Sequence, residues 1–138
     1  MIDLSPSLKF FLNLSKIQSV VTRRFDASLG GIGFSEFMIL FHLSQAPDEK
    51  MRRIDLAEKI GLTASGVTRM LVPMEKIGLV LREMTEHDAR VRYVTMAPGG
   101  KQKLIEGLER AELICQDLIP KAKEKKLEEI SKIITELL

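Results

Sequence analysis

The sequence predicts a mainly α fold with one small β-hairpin, in which two short helices joined by a glycine turn lead directly into the hairpin and long helices lie at either end. Three observations lead there. Most of the chain carries apolar residues at helical spacing. Only two segments, Leu79-Val80-Leu81 and Arg92-Tyr93-Val94-Thr95-Met96, read as β-prone. Gly30-Gly31, Gly61, Gly78 and Pro120 then mark the points where the helical periodicity breaks.

Taken in order, residues 7–29 place Leu8, Phe11, Leu12, Val20 and Val21 near helical spacing and end at Gly30-Gly31, so they form an amphipathic helix. In residues 35–44, Phe37, Met38, Ile39, Leu40, Phe41 and Leu43 cover more than one face, which suits a central helix packed on several sides. A turn at Ala46-Pro47-Asp48 precedes residues 52–60, where Ile54, Ala57 and Ile60 recur at three-residue intervals. Gly61 stops that short helix, Thr63 is a good N-cap, and residues 64–77 continue as the next helix until Gly78. Two helices about a tight glycine turn make a helix-turn-helix, and the β-prone pair around the polar segment 82–90 makes a hairpin, or wing. Pro98 then opens a long helix through residues 101–119, with Leu104, Leu108, Ala111, Cys115 and Leu118 on one stripe. Residues 121–138 form a last amphipathic helix through Leu127, Ile130, Ile133, Ile134 and Leu137.

Bulk properties narrow the function. A chain of 138 residues, 45% apolar, is the size of one domain with a helical core. The net charge is only +2, from 21 Lys and Arg against 19 Asp and Glu, so any nucleic-acid reading rests on where the charges sit. No apolar run approaches the ~20 residues of a membrane span, and residues 1–10 lack the features of a signal peptide, so a cytoplasmic protein is expected. One cysteine excludes an intrachain disulfide and a cysteine-based zinc site, and two separated histidines do not suggest a metal centre. With no nucleophile–base pairing and no phosphate-binding glycine loop, an enzyme and a bound cofactor are not expected.

Turning residues 64–77 by about 100° each separates two faces. Val67, Met70, Leu71 and Met74 gather at the spacing of a core stripe, whereas Ser65, Thr68, Arg69, Val72 and Lys76 lie opposite. A helix that reads double-stranded DNA needs this arrangement. Short Ser65 and the side-chain-free Gly66 let its leading end enter the ~12 Å major groove, hydroxyls can bond base edges or phosphates, and Arg69 can bond guanine or a phosphate bidentately. The free amides at the helix N-terminus, behind Thr63, favour a phosphate. Taken singly, Ser65 or Thr68 reads as solvated surface, but the wing that follows adds Asp88 and Arg90. An arginine there can enter the narrow minor groove, with the aspartate holding its guanidinium. Lys76 and Arg92 complete the set of candidate DNA-contacting residues. The opposing reading is a winged-helix module that holds protein partners without DNA.

These residues also carry a family resemblance. Ile54-Asp55-Leu56-Ala57-Glu58-Lys59-Ile60-Gly61-Leu62-Thr63, Val67-Thr68-Arg69, Met74-Glu75-Lys76-Ile77-Gly78-Leu79-Val80, Asp88-Ala89-Arg90, Val94 and Pro98-Gly99-Gly100 occur in the order and at the distances of the MarR family, which the sequence resembles over nearly its whole length. The resemblance implies a winged helix-turn-helix whose terminal helices form a dimer, with Ser65, Thr68 and Arg69 at the major groove and Arg90 at the minor groove. It further implies a transcription regulator, and a pocket between dimer helices and winged domain for a small aromatic or anionic effector that weakens DNA binding. On this division residues 1–30 are an N-terminal dimerisation helix, 31–97 the DNA-binding domain, and 98–138 the C-terminal dimerisation helices. A twofold dimer predicts a palindromic operator with half-sites ~34–36 Å apart, and repression is the expected outcome.

Several features depart from the pattern or compete with it. Ala89 replaces the first arginine of the wing's usual Asp-Arg-Arg, Ala97 stands where threonine is common, and Glu83, Glu86 and Asp88 oppose phosphate, which together predict a weaker wing. Pro73 removes the amide that would bond the Arg69 carbonyl and predicts a kink that accommodates Met74 in the core. Phe10, Phe11, Phe37 and Phe41 line either an effector pocket or the core, and burial tendency favours the core. Cys115, with no cation beside it, reads as inert packing, His42 as a tolerated polar residue, and His87 as a solvated wing residue.

Overall fold

The computed structural model describes residues 1–84 and 92–138. Among these described residues, six helices and three strands follow in the order α1 (Pro6–Ser28), α2 (Phe34–Gln45), β1 (Lys50–Arg52), α3 (Arg53–Ile60), α4 (Ala64–Lys76), β2 (Val80–Met84), β3 (Arg92–Met96), α5 (Pro98–Leu118) and α6 (Glu124–Glu136). Single 3-10 turns, Pro47–Glu49 and Lys121–Lys123, precede β1 and α6. Among the described residues, no helix is long and apolar enough to cross a membrane.

The core collects around α2. Ile39, Leu40 and Leu43 share one face of that helix and are fully buried, Phe37 widens the buried arc, and Phe41 on the far side is exposed, so the apolar run is packed over a broad face rather than all round. Leu29 from the end of α1, Leu56 from α3, Val67, Leu71 and Met74 from α4, and Val80 and Val94 from the sheet close over it. At the start of α2, Phe34 stacks on Phe25 of α1 with ring centroids 4.6 Å apart, and Asp26 Oδ1 accepts the Phe34 amide at 2.7 Å. Of the four phenylalanines singled out in the sequence, Phe37 is core, Phe10 is half-buried, and Phe11 and Phe41 are exposed.

The hairpin has a third strand that the sequence did not reveal. β1 pairs antiparallel with β3, placing Met51 opposite Val94, and the sheet order is β1-β3-β2. Three residues reading Lys-Met-Arg carry neither alternation nor β propensity, so only the free edge of β3 makes them a strand. Arg52, expected to begin the first helix of the helix-turn-helix, is the last residue of β1, and α3 begins one residue later. The chain enters β1 through Asp48 and Glu49, both left-handed at φ 56° and 52°. β2 also runs to Met84, so Arg82 and Glu83, expected in the polar tip, belong to the strand ladder.

α5 corrects the predicted stripe. Its buried positions are Gly100, Leu104, Gly107, Ala111 and Ile114, while Leu108, Cys115 and Leu118 are exposed. A hydrophobic count passes over glycine, yet here glycines make the closest approaches. A Cβ on Gly99 would lie 2.7 Å from the Gly78 carbonyl oxygen, and one on Gly100 would lie 2.1 Å from that of Leu79. One on Gly107 would meet the Phe37 ring at 3.1 Å. The first turn of α5 is thus seated backbone to backbone on the α4–β2 turn, and the Ala97 amide donates to the Leu79 carbonyl at 3.1 Å. Cys115 is exposed rather than packed, but partial burial and the nearby Glu112 carboxylate raise its thiol pKa, which disfavours the thiolate.

Candidate nucleic-acid interface

Local sequence fixes the leading end of α4. Gly61 turns the chain out of α3 at φ 71°, and Thr63 caps α4 by accepting the Gly66 amide on Oγ1 at 3.0 Å. A Cβ on Gly66 would crowd that same oxygen at 3.1 Å, so the missing side chain serves the cap as well as the surface. Val67, Leu71 and Met74 are sealed into the core at 0%, 1% and 1% exposure. Ser65, Arg69, Val72 and Lys76 form the opposite, exposed stripe.

Thr68 lies on the border between these faces. Its hydroxyl donates to the Ala64 carbonyl oxygen at 2.9 Å and accepts from Arg53 Nη1 at 2.9 Å, so the side chain is half-buried toward the wing. Pro73 sits on the exposed side, and α4 runs through it to Lys76 with Met74 in the core. Without an amide at position 73, the Arg69 carbonyl lacks its intrahelical donor on that side.

Arg53 is the residue that sequence reasoning missed. It lies 15 positions before Thr68, and the periodicity of α3 does not connect the two. One signal was available: a cation in the first turn of a helix is disfavoured by the helix dipole, so Arg53 needs a partner elsewhere. Its neighbour Arg52, at the end of β1, is instead paired with the first turn of α3, donating through Nε to Asp55 at 2.8 Å. That hydrogen bond holds the Asp55 carboxyl below the usual carboxylate range.

Ion pairs tie α4 and β1 to the base of the wing. Glu75 of α4 pairs with Arg82 of β2, and Lys50 of β1 pairs with Glu83 of β2 at 3.1 Å while standing 4.7 Å from the Tyr93 ring centroid. Between α4 and the sheet these side chains leave a cleft of about 220 Å³ whose polar lining is Arg53, Arg82 and Arg92 with Thr68, Glu75 and Glu83, beside Tyr93. Arg92, at the start of β3, is exposed. Asp88 and Arg90, with Glu86, His87 and Ala89, lie outside the described residues.

The arrangement has counterparts among known proteins. Residues 34–91 match the MarR family model. The HTH-type transcriptional repressor YetL of Bacillus subtilis is 29% identical over 100 residues, a match covering 71% of this chain and 60% of YetL. The transcriptional regulator BldR from Sulfolobus solfataricus has 25% identity and a TM-score of 0.81, over 99% of both chains. Sco3205, a MarR family transcriptional regulator from Streptomyces coelicolor solved in complex with DNA, gives 21% identity and a TM-score of 0.77, covering 100% of this chain and 92% of that one.

Proposed function

We propose that this chain, whose residues 34–91 match the MarR family model, is a MarR-type transcription regulator rather than an enzyme, a cytoplasmic repressor that binds a palindromic DNA operator as a homodimer. The observation that carries the DNA reading is α4 itself. One stripe is sealed in the core, and the opposite stripe offers a hydroxyl, a guanidinium and an ammonium to solvent, behind a capped N-terminus that points free amides outward.

In this reading Ser65 and Arg69 meet base edges in the major groove, and Lys76 meets the backbone. Thr63, Gly66 and Thr68 shape the turn that delivers them. Arg90, steadied by Asp88, enters the minor groove, and Arg92 contacts the flanking backbone. Unburied apolar residues on α1 and α6 support a twofold dimer. A small aromatic or anionic effector would act by changing the relation between those helices and the winged domain.

Selection of bound sequences from a random DNA pool tests the reading. A palindrome with half-sites one helical turn apart is expected, and Arg69→Ala should lower its preference over random DNA by roughly 1–3 kcal/mol. Recovery of no enriched site, or unchanged discrimination by Arg69→Ala, would overturn it.

A further inference from the structure

The cleft between α4 and the sheet carries three arginines, and the candidate base-reading stripe uses none of them. Their charges are only partly met. Glu75 pairs with Arg82, and the charge of Glu83 is taken by Lys50 on the other side of the sheet. Arg53 spends one nitrogen on the Thr68 hydroxyl, while its Nε is buried and has no acceptor among the described residues. The cleft therefore keeps a surplus of positive charge, with Arg53 only partly hydrogen-bonded beside it. At about 30 Å³ of liquid per water, its roughly 220 Å³ has room for a tetrahedral anion with ordered waters.

Duplex geometry says which anion arrives there. When a recognition helix lies in the major groove and a wing in the adjacent minor groove, the sugar–phosphate strand separating the two grooves passes between helix and wing. On the DNA-binding reading, the cleft between α4 and the sheet is where that strand would pass. We propose that the cleft seats one DNA backbone phosphate, held from the floor by Arg53 and from the β2 side by Arg82. Helix and wing are then set in register on the duplex by a single shared contact. The inference rests on the DNA-binding reading and adds Arg53 and Arg82 to it. Glu75 is the competitor: its carboxylate occupies Arg82 until the phosphate displaces it, as a charged fork passing from one anion to another.

The test is quantitative because each neutralised phosphate contributes about 0.9 to the slope of log K against log salt. The double variant Arg53→Gln with Arg82→Gln should lose about 1.8 from that slope, one phosphate's worth for each of the two subunits, and bind operator and random DNA alike roughly tenfold more weakly per half-site. Glu75→Gln should act in the opposite direction and tighten binding to both DNAs. Ethylation interference should find one phosphate per half-site whose modification weakens the unaltered protein and has no effect on the double variant. If the double variant does not fold, Arg82→Gln alone is carried through the same interference experiment. An unchanged slope, looser binding by a folded Glu75→Gln, or an identical interference pattern in protein and variant overturns the proposal while leaving DNA binding standing. If the unaltered protein binds no DNA, the functional reading falls and this proposal falls with it.

Discussion

His42 is half-buried on α2, and burial, reinforced by the Lys59 charge, holds its imidazole pKa below the ordinary histidine value. A histidine with a depressed folded pKa takes up its proton more readily in the unfolded chain. It therefore removes stability as pH falls through the unfolded value of about 6.5 toward the folded one. His42→Gln should narrow the loss of melting temperature between about pH 8 and about pH 5.5, and parallel curves for the two proteins would remove this role. Single residues were unequally legible in the sequence. Ser65, Arg69, Val67, Leu71 and Met74 fall where the helical period puts them, because one face of α4 is buried and the other is not. Thr68 was assigned to the outward face and turns instead toward Arg53, because its partner comes from another helix and periodicity carries no information about cross-helix hydrogen bonds.

At the scale of elements, what the sequence concealed shares one cause. β1 exists because β3 has an edge to offer, and the true face of α5 exists because the Gly78–Leu79 backbone and the Phe37 ring press onto its glycines. Local pattern reports neither. The seat of α5 makes a sharp comparison between two glycines of the same helix. Gly100→Ala places a methyl inside the Leu79 carbonyl, where backbone must give way, and should cost about 1–3 kcal/mol or more. Gly107→Ala meets only the edge of the Phe37 ring and should cost clearly less. Chemical denaturation of both variants measures the difference, and equal losses would mean that the α4–β2 turn yields easily.

On the scale of the whole molecule, the core is closed by α2, α3, α4 and the sheet together with the end of α1 and the inner face of α5, whereas α6 and the first half of α1 stay open. α6 buries no residue completely, and Ile130, Ile133 and Leu137 stand 45%, 57% and 58% exposed beside the similarly open Leu8, Leu12 and Ile17 of α1. Ile133→Glu combined with Leu137→Glu should therefore leave the helical circular dichroism of the winged domain intact. Sedimentation should then shift to the monomer, and operator affinity should fall because two half-sites are no longer held by one body. An unchanged dimer would place the interface elsewhere. Such an assembly gives the glycine seat of α5 a mechanical meaning. Twenty-one helical residues make a rod about 31 Å long. With one end fastened to the turn behind α4, a tilt of about 5° at the far end carries the recognition helix sideways by roughly 3 Å, nearly one base-pair step. On the DNA-binding reading, release from a site would require no deformation of α4, only a swing of the shaft on which it is mounted.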